Sequence, residues 1–393
     1  MKFKTLRDAD VRGKRVLLRE DLNVPMKGAT IADETRITAA LPTLRWLSEH
    51  GAKTVIVSHL GRPDGKPDPK YSLRPVAARL AELLGTEVRF VDTPVGSLAA
   101  DVTPAIPNGG FALLENIRFY PGEEANDHAF AQQLATLADL YVNDAFGTAH
   151  RAHASTAGVA ADLPAYAGLL MEAELAALTR LTENPVAPFV CAIGGAKVVD
   201  KVGVFENLLA RVDAFVIGGG MANTFLAAQG IEVGKSLRDP DLMPAQRIIA
   251  AALAKGVTLH LPTDAVVADA FDADGTARTV PLDQVGQGMI LDIGPASAQA
   301  YAQVLRGAKT IVFNGPMGVY EKPPYQNGTR VVGEAIADAT RAGATSVVGG
   351  GDAAAAAHAL GFAGAMTHVS TGGGATLEFL EGKPLPGVAA LEH

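Results

Sequence analysis

Short apolar runs alternate with alanine-rich stretches of helical character along the whole chain. Because these runs are apolar on both faces, they predict strands that lie buried between helices in parallel α/β sheets. The predicted strands are 16–18, 54–57, 88–91, 111–114 and 140–142 in the first half, and 189–193, 214–217, 257–261, 310–313, 346–348 and 367–369 in the second half. Eleven strands are many for one twisted open sheet, so the pattern predicts two sheets.

A boundary between the two predicted sheets lies near residues 183–188, which read ENPVAP. An amphipathic helix pattern over 171–183 precedes this segment, and the two prolines end the helix. A chain of 393 residues is long enough for two or three domains at roughly 150 residues each. We therefore expect an N-terminal lobe over 1–170, a connecting helix and hinge over 171–187, and a C-terminal lobe over 188–379.

Composition and charge exclude several classes of protein. The 34 Lys and Arg against 42 Asp and Glu give a net charge of −8, which argues against long-range attraction to nucleic acid or an anionic membrane. The single cysteine, Cys191, cannot form an intramolecular disulfide and fits a reducing compartment. Residues 1–21 show no signal-peptide pattern, and the most apolar stretch, 347–366, is interrupted by Asp352 and His358. We expect a cytoplasmic protein that binds neither nucleic acid nor membrane.

The residues that follow the predicted strands differ between the two halves of the chain. In open parallel sheets, ligands bind outside the carboxyl ends of the strands, so these positions are candidate binding segments. The first-half segments are rich in Arg, His and Asn and are 19–25, 58–63, 115–123 and 143–153. The second-half segments are rich in glycine with few charges and are 194–201, 218–225, 314–321, 349–355 and 370–378. We call the first set the basic edge and the second set the glycine edge.

The glycine edge predicts a binding site for a polyphosphate. Glycine lets the backbone approach a ligand closely, and the amides at a helix N-terminus bind anions. Each glycine run alone could equally serve a tight turn, but five of them on one edge favour binding. Neither G-x-x-x-x-G-K-[ST] nor G-x-G-x-x-G is present, so neither of these two phosphate motifs applies.

The basic edge predicts a site for a small, multiply charged anion. Arg36, Arg62, Arg118 and Arg151 lie in or beside its loops, and the planar arginine fork pairs with carboxylate or phosphate through two parallel hydrogen bonds. A lone arginine is usually solvated, whereas four near strand ends of an acidic protein indicate a ligand.

Three further residues have competing interpretations. His59 and His150 could be metal ligands, but no Cys/His/Asp spacing supports a zinc site. Cys191 lies in the apolar run FVCAI, which favours a core position over a nucleophile. No G-x-S-x-G elbow is present.

Two lysines and one aspartate of the glycine edge are candidates for contact with a phosphate or a metal ion. Lys197 and Lys201 are four residues apart, so in a helix after the glycines they would share one face and could reach a phosphate; the alternative is solvated lysine. Asp352 sits at a predicted helix start. It could cap that helix, or it could hold Mg²⁺ beside nucleotide phosphates, and residue chemistry alone leaves both alternatives open.

Nine segments of the chain together resemble the phosphoglycerate kinase family, and the similarity runs essentially from end to end. These segments are REDLNVP (19–25), SHLGRPDGKPDPKYSLRPVA (58–77), ENIRFYPGE (115–123), YVNDAFGTAHRAHAS (141–155), GGAKVVDK (194–201), IGGGMANTF (217–225), FNGPMGVYE (313–321), GGGD (349–352) and STGGGATLEFLEGKPLPGV (370–388). Long motifs in a fixed order make the resemblance specific.

The resemblance implies reversible, Mg²⁺-dependent phosphoryl transfer between 1,3-bisphosphoglycerate and ADP, giving 3-phosphoglycerate and ATP, a reaction of glycolysis and gluconeogenesis. It implies a monomer of two Rossmann-like lobes, each a mostly parallel sheet flanked by helices, joined by a hinge helix. The N-terminal lobe would bind the glycerate and the C-terminal lobe the nucleotide, and segment 380–393 would cross back to join the N-terminal lobe.

The resemblance also assigns residues. The substrate-binding set would be Asp21, Leu22, Asn23, Arg36, His59, Leu60, Gly61, Arg62, Arg118 and Arg151. The nucleotide-binding set would be Lys201, Asn314, Glu321, Gly350, Gly351, Asp352 and Ala353, with Asp352 as the metal ligand. The groups around the phosphoryl group in transfer would be Arg36, Lys197, Lys201, Gly373 and Gly374.

The chain departs from the family pattern at two positions. Ala353 stands where the family commonly has Thr or Ser, so only its backbone amide is expected to act. Glu20 stands where many members have an apolar residue; it is expected to point away from Asp21 in a strand and to have little effect.

Three other functions remain as alternatives to this interpretation. Another acyl-phosphate kinase is disfavoured by the four arginines and the full-length motif match. A nicotinamide dehydrogenase is disfavoured by the missing G-x-G-x-x-G. A non-catalytic anion- or nucleotide-binding protein should have lost Lys201 or Arg36, and both are present.

The mechanism implied by the resemblance needs no general base, because a carboxylate acceptor is ionised above about pH 5. Since the two substrates would bind to different lobes, transfer requires hinge closure.

Overall fold

The computed structural model describes residues 3–392, with the side chains of residues 97 and 98 excepted. The chain forms two compact units. The first unit runs to Leu175 and takes in the chain from Pro384 onward, and the second unit is Ala176–Lys383. The division between them lies inside the helix that the sequence predicts over 171–183.

The strands are β1 (Arg15–Arg19), β2 (Met26–Lys27), β3 (Thr30–Ile31), β4 (Lys53–Val57), β5 (Val88–Val91), β6 (Phe111–Leu114), β7 (Leu140–Asn143), β8 (Ala165–Ala167), β9 (Phe189–Ile193), β10 (Ala214–Ile217), β11 (Thr258–His260), β12 (Asp264–Ala268), β13 (Arg278–Pro281), β14 (Met289–Ile293), β15 (Thr310–Asn314), β16 (Thr345–Val348) and β17 (His368–Val369).

The α-helices are α1 (Thr35–Glu49), α2 (Arg74–Leu84), α3 (Ser97–Ala105), α4 (Pro121–Glu124), α5 (His128–Ala135), α6 (Leu169–Thr182), α7 (Val202–Leu208), α8 (Gly219–Ala228), α9 (Met243–Lys255), α10 (Pro295–Arg306), α11 (Asn327–Arg341), α12 (Gly351–Ala359), α13 (Gly374–Leu380) and α14 (Pro386–Ala389). Short 3₁₀ turns occur at Leu6–Asp8, Pro69–Tyr71, Ile117–Phe119, Phe146–Thr148, Gly158–Ala161, Val199–Lys201, Asp274–Thr276, Leu282–Gln284, Pro323–Tyr325 and Ala363–Ala365.

The first unit is built on a six-stranded sheet in the order β5-β6-β4-β1-β7-β8, and every neighbouring pair is parallel. Its central strands are buried on both faces, as the apolar runs predict. Helix α2 shows how the sequence sets an element's ends: a proline occupies its first turn, and Gly85 ends it in the left-handed conformation at φ 65°. The two-stranded β2–β3 hairpin stands apart from this sheet.

The second unit repeats the design in the order β11-β10-β9-β15-β16-β17, again with every neighbouring pair parallel. All eleven strands that the sequence predicts are present, and the predicted fold class is confirmed. Cys191 lies fully buried in β9, where burial raises the pKa of its thiol to about 12, in agreement with a core position.

A three-stranded antiparallel sheet, β13-β12-β14, also belongs to the second unit and was not predicted. Strand β13 reads RTVP and is largely exposed, so it has no apolar run to mark it. Among residues 3–392, no helix is both long and apolar enough to cross a membrane.

Each parallel sheet has a switch point, where the next strands along the chain are added on the other side of a central strand. In the first sheet β4 lies on one side of β1 and β7 on the other; in the second, β10 lies on one side of β9 and β15 on the other. Such switch points open a crevice at the carboxyl ends of the strands, where ligands bind in open α/β sheets. They fix where the residues of the basic edge and of the glycine edge come together.

Candidate functional site

The loop after β1 meets helix α1 through one arginine. Arg36, the second residue of α1, donates from Nη1 to Asp21 Oδ1 over 2.8 Å and to the Asn23 carbonyl over 3.2 Å. The Asn23 side-chain oxygen in turn accepts from the Gly61 amide over 2.8 Å, which ties the β1 loop to the β4 loop. Arg36 keeps about a third of its side chain exposed (31%), so it can still reach a ligand.

Arg118 lies in the 3₁₀ turn after β6. It donates from Nη1 to the Gly61 carbonyl over 2.9 Å, and its Nε lies 3.4 Å from Glu124 Oε1. Burial, opposed by Glu124 and assisted by Arg19 and Arg151, lowers the pKa of Arg118 to about 10. A bound anion would relieve this concentration of buried positive charge.

His59 is buried after β4, and its protonation can be assigned. Burial lowers the pKa of His59 well below its ordinary value, and Arg19, Arg118 and Arg36 add to the effect. Arg19 Nη2 lies 3.2 Å from His59 Nδ1, and a guanidinium can only donate. Nδ1 is therefore the acceptor, the ring is neutral, and Nε2 carries the proton that a ligand oxygen could accept. In the part of the chain that the structure describes, no group of three or more His, Cys, Asp or Glu could hold a metal.

The remaining residues assigned to the substrate are of two kinds. Arg62 is exposed and Arg151 is half-buried, and neither forms an ion pair with another residue in the described range. Leu22 and Leu60 have core side chains, so only their backbone could contact a ligand. The Leu22 amide already donates to Ser58 Oγ, and the Leu60 carbonyl already accepts from Asn116, which makes both residues part of the support.

The first switch point also holds two buried carboxyl groups that sequence reasoning missed. Glu20 follows β1 and Asp144 follows β7, and these strands pair with Arg19 opposite Asn143. Glu20 Oε1 and Asp144 Oδ2 receive no hydrogen bond from a donor among the described residues, yet the two side chains are hydrogen-bonding neighbours. Two carboxylates can only accept, so this contact requires a proton between them. The expected position of Glu20 in a strand is wrong, because β1 ends at Arg19; the expectation that it has little effect on function stays a prediction.

Burial, with Asp144 close by, raises the pKa of Glu20 well above its usual range, and burial raises the pKa of Asp144 to about 6. Asp144 also accepts from the Met171 amide over 3.0 Å at the start of α6. The carboxyl pair therefore connects the loop that carries Asp21 to the first turn of α6.

Lys201 occupies the second switch point. Its Nζ donates to the Gly194 carbonyl over 2.8 Å and to the Asn314 carbonyl over 2.6 Å, so it joins the ends of β9 and β15. Burial lowers the pKa of Lys201 to about 8, while Cys191 and other acidic groups raise it. The lysine is therefore held at the junction from which both loops can present it to a ligand.

The sequence pattern placed Lys197 on one helical face with Lys201, and that prediction is wrong. Residue 197 is exposed and precedes the 3₁₀ turn Val199–Lys201, so the two lysines do not share a helix. The Gly194–Gly195 turn that precedes Lys197 is tightly packed. A Cβ at Gly194 would lie only 2.0 Å from the Pro316 carbonyl oxygen.

The five glycine runs divide into two classes. Gly194, Gly219 and Gly220 are required by packing, since a Cβ on Gly219 would come within 2.7 Å of the Gly195 carbonyl and one on Gly220 within 2.6 Å of the Ala196 carbonyl. These glycines seat the loops against each other and need no ligand to explain them.

The second class of glycine faces open space. A Cβ at Gly351 or Gly373 would meet no atom within 4 Å. Gly350 and Gly373 have positive φ values of 98° and 50°, which favour glycine at these two positions for the backbone conformation alone. Gly350 precedes helix α12, and Gly373 precedes helix α13, which begins at Gly374. These two helix starts leave room for a ligand beside their amides.

The start of helix α12 bears on the capping alternative for Asp352 and on the role left to Ala353. Helix α12 has no side-chain capping hydrogen bond, and Asp352 is exposed on its first turn, so the capping alternative for this residue is not supported. Ala353 is buried in the core under that helix, which leaves only its backbone for a ligand.

The donor set around Asp352 suits a hard cation such as Mg²⁺. The Asn314 side chain donates to the Gly349 carbonyl, while its own oxygen, Oδ1, is buried without a donor among the described residues. A carboxylate and an amide oxygen are ligands that Mg²⁺ accepts when substrate phosphates complete its octahedron. The exposed carboxylate of Asp352 therefore fits the ion, provided that a phosphate ligand is bound with it.

A cavity of about 600 Å³ lies beside the glycine edge within the second unit. Its wall is largely apolar, with Leu237, Phe271 and Met289 among its residues, and Asp352 and Glu321 also line it. Volume and lining are typical of a pocket for one small organic ligand. An apolar slot next to open helix N-termini suits a nucleotide, with the base in the slot and the phosphates at the amides.

Arginines at one switch point and glycine amides beside an apolar cavity at the other fit the class of protein that the sequence resembles, a phosphotransferase. The family model for phosphoglycerate kinase matches residues 6–383. The phosphoglycerate kinase of Chloroflexus aurantiacus is 54% identical over 397 residues, covering 100% of this chain and 99% of that protein. The chain belongs to the phosphoglycerate kinase family.

Solved structures agree with this assignment. The phosphoglycerate kinase from Coxiella burnetii superposes with a TM-score of 0.90 at 44% identity, covering 99% of each chain. The enzyme from Pyrococcus horikoshii superposes with a TM-score of 0.82 at 35% identity, covering 99% of this chain and 98% of the other. Similarity therefore extends through both units.

Proposed function

We propose that this protein catalyses the reversible transfer of a phosphoryl group between 1,3-bisphosphoglycerate and ADP, giving 3-phosphoglycerate and ATP. The observation that carries the proposal is the pairing of two complementary sites at two sheet switch points. One presents arginine side chains and the other presents backbone amides beside an apolar cavity. Family membership supports the same reaction.

In the first unit, 3-phosphoglycerate would be bound by charge. Arg62 and Arg151 would pair with its phosphate or carboxylate, because no other residue in the described range neutralises them. The protonated Nε2 of His59 would donate to a ligand oxygen, and Asp21 and Asn23 would hold Arg36 in place. Arg36 would then stabilise charge on the transferring group.

In the second unit, the base of ATP or ADP would occupy the cavity, Glu321 would contact the ribose, and the phosphates would lie against Gly350, Gly351 and the amides at Gly373 and Gly374. Lys201 would exchange one of its carbonyl partners for a phosphate oxygen, and the exposed Lys197 would add charge from outside. Mg²⁺, held by Asp352, would supply positive charge that offsets the phosphate oxygens.

The chemical step needs no base from the protein, because the carboxylate of 3-phosphoglycerate is already ionised. Positioning and charge stabilisation then carry the reaction. Reacting atoms must come within about 3–3.5 Å, and the proposed ligand sets belong to different units, so we include closure about the 171–187 segment in the proposal. Small-angle scattering should show a smaller radius of gyration with both ligands than with either one.

A coupled assay of purified protein with 3-phosphoglycerate, ATP and Mg²⁺ tests the proposal. Acetate and aspartate as acceptors test the alternative of another acyl-phosphate kinase. Turnover with 3-phosphoglycerate alone among these acceptors is expected; turnover with acetate or aspartate in its place would overturn the substrate assignment. We also propose that the protein is cytoplasmic and that it is a monomer. Sedimentation equilibrium with and without substrates checks the monomeric state.

A further inference from the structure

The loop between β12 and β13 carries an aromatic side chain that nothing in the proposed function explains. Phe271 lines the cavity, yet 46% of its surface is exposed, which is unusual for a large aromatic residue. Neither a helix nor a strand contains Phe271; it lies in a turn in which the Ala273 amide donates to the Ala270 carbonyl over 3.1 Å, just before the short 3₁₀ segment Asp274–Thr276. This backbone hydrogen bond closes the turn but does not fix the position of the ring.

Lys322, which also lines the cavity, supplies a contact that holds the ring. Its Nζ donates to the Phe271 carbonyl over 2.6 Å, to Asp272 Oδ1 over 3.0 Å and to Asp274 Oδ1 over 3.3 Å. The same ammonium group lies 4.3 Å from the centroid of the Phe271 ring. All three protons of the lysine are thus directed at one loop, and the aromatic face adds a cation–π contact.

The position of Lys322 in the chain makes this contact relevant to the ligand. It directly follows Glu321, and both residues line the cavity together with Phe271. Only about a fifth (21%) of the lysine side chain is exposed, whereas exposed ion pairs elsewhere on the surface are worth little. Four contacts from one cation tie the loop that carries Phe271 to the segment that carries Glu321.

We propose that Lys322 is a positioning residue that holds Phe271 against the base of the bound nucleotide and so sets the nucleotide affinity. The proposal rests on the proposed function, in that it takes the occupant of the cavity to be a nucleotide. Lys322 acts through Phe271 at the base end of the ligand. Its loss should weaken ground-state and transition-state binding equally, which raises KM for ATP and leaves kcat unchanged.

The test replaces Lys322 by methionine, which has similar length and no charge or donor. Lys322→Met should raise KM for ATP and Kd for ADP by about tenfold, with kcat and KM for 3-phosphoglycerate within about twofold of the parent. Lys322→Arg, which keeps charge, donors and the ring contact, should restore most of the affinity.

Arg278→Met is the matched control. Arg278 ties the same loop to Asp269 over 2.9 Å and to the Thr276 carbonyl but makes no contact with Phe271. An equal rise in KM in this variant would mean that general loosening of the loop explains the effect, and the proposal would fail. An unchanged nucleotide Kd in Lys322→Met would overturn it as well.

Calorimetry with adenosine and with ADP separates the proposal from the proposed function. If Lys322 acts on the base, both ligands should lose affinity by the same factor. Loss for ADP alone would place Lys322 on the phosphates and contradict the inference. Because binding is measured without turnover, a protein that bound ADP but failed to phosphorylate 3-phosphoglycerate would refute the proposed reaction and still test Lys322.

Discussion

The basic edge of the first unit and the glycine edge of the second differ in what they offer a ligand: the first offers side chains and the second offers backbone. Both lie at the switch point of a six-stranded parallel sheet. In the proposed function, the first would bind an anion with long side chains such as Arg36 and Arg118, which neighbouring loops support. The second would bind through backbone amides, with the half-buried Lys201 between the ends of β9 and β15.

The difference predicts opposite sensitivities to substitution. A side-chain site can lose its function while the fold survives, because removing an exposed arginine head leaves the core intact. In the glycine edge the outcome depends on the glycine: at Gly194 a Cβ has no room and substitution should destabilise the fold, whereas at Gly351 it meets no protein atom and should affect only binding. Substitutions in the two edges can therefore separate binding from stability.

The largest expected effect is the loss of Arg36. Arg36→Ala should lower kcat by about 10³-fold or more, since charge stabilisation by arginine in phosphoryl transfer is worth about 10³–10⁵. Its melting temperature should shift by only a few degrees, because the Arg36 side chain is partly exposed and the buried Asp21 keeps the hydrogen bond that its Oδ1 accepts from the Asn23 amide. Arg45→Ala, on the same helix with one long hydrogen bond to Leu83, is the control and should keep full activity. More than about a tenth of parental turnover in Arg36→Ala would remove this role.

The second prediction contrasts one cation of each edge by calorimetry. Arg62→Ala should lower the affinity for 3-phosphoglycerate by about 10- to 100-fold and leave the affinity for ATP unchanged, because a charged hydrogen bond contributes roughly 1.5–3 kcal/mol. Arg151→Ala should behave in the same way. Lys201→Ala should lower the affinity for the nucleotide instead. If Arg62→Ala lowered the affinity for ATP alone, the ligands would be assigned to the wrong units.

The third prediction compares two glycines of the same edge by urea unfolding. Gly194→Ala should destabilise the second unit by about 1–3 kcal/mol or more, because the new Cβ would overlap the Pro316 carbonyl. Gly351→Ala should unfold at the parental urea concentration, since its Cβ meets no protein atom, yet it should bind ATP more weakly. Equal stability of both variants would break the division of the glycines into two classes.

The smallest effect concerns the buried carboxyl pair and its pH dependence. Raised pKa values in the folded state mean that the pair stabilises the fold fully below about pH 4, and that this contribution falls as pH rises through about 6. Besides Asp144, Arg19 lowers the pKa of Glu20 and Asp21 raises it, so these two charged groups oppose each other. Glu20→Gln replaces the shared proton with an amide donor to Asp144.

Urea unfolding of Glu20→Gln between pH 5 and 8 should therefore show a smaller loss of stability than the parent, with a difference of about 1 kcal/mol at pH 8. Glu49→Gln, at an exposed position on α1, should leave the pH slope unchanged. A steeper slope in Glu20→Gln than in the parent would contradict the shared proton.

Most of the fold could be predicted from the sequence, because the central strands of each sheet are buried on both faces and therefore form continuous apolar runs. Strand β13 could not be predicted in this way, because it is exposed and has few apolar residues. The arginines of the basic edge were identifiable from their place after strands, since the carboxyl ends of parallel strands share one edge.

Other parts of the site depend on contacts between distant residues and could not be predicted. Glu20 was assigned to a strand, but β1 ends at Arg19, so the alternation of side chains stops there. Its partner Asp144 becomes its neighbour only because β7 pairs with β1. The tie between Lys322 and Phe271 likewise joins two loops that no local pattern connects.

The chain from Pro384 onward has a consequence for how the protein is made. Gly387 donates from its amide to the Ala149 carbonyl, Asn143 donates to the Gly387 carbonyl, and Phe3 forms an antiparallel bridge with Glu392. Translation delivers these residues after the whole of Ala176–Lys383 has been synthesised. The unit whose synthesis begins first is therefore completed last, and a nascent chain paused before Pro384 contains every residue of the second unit but lacks part of the first.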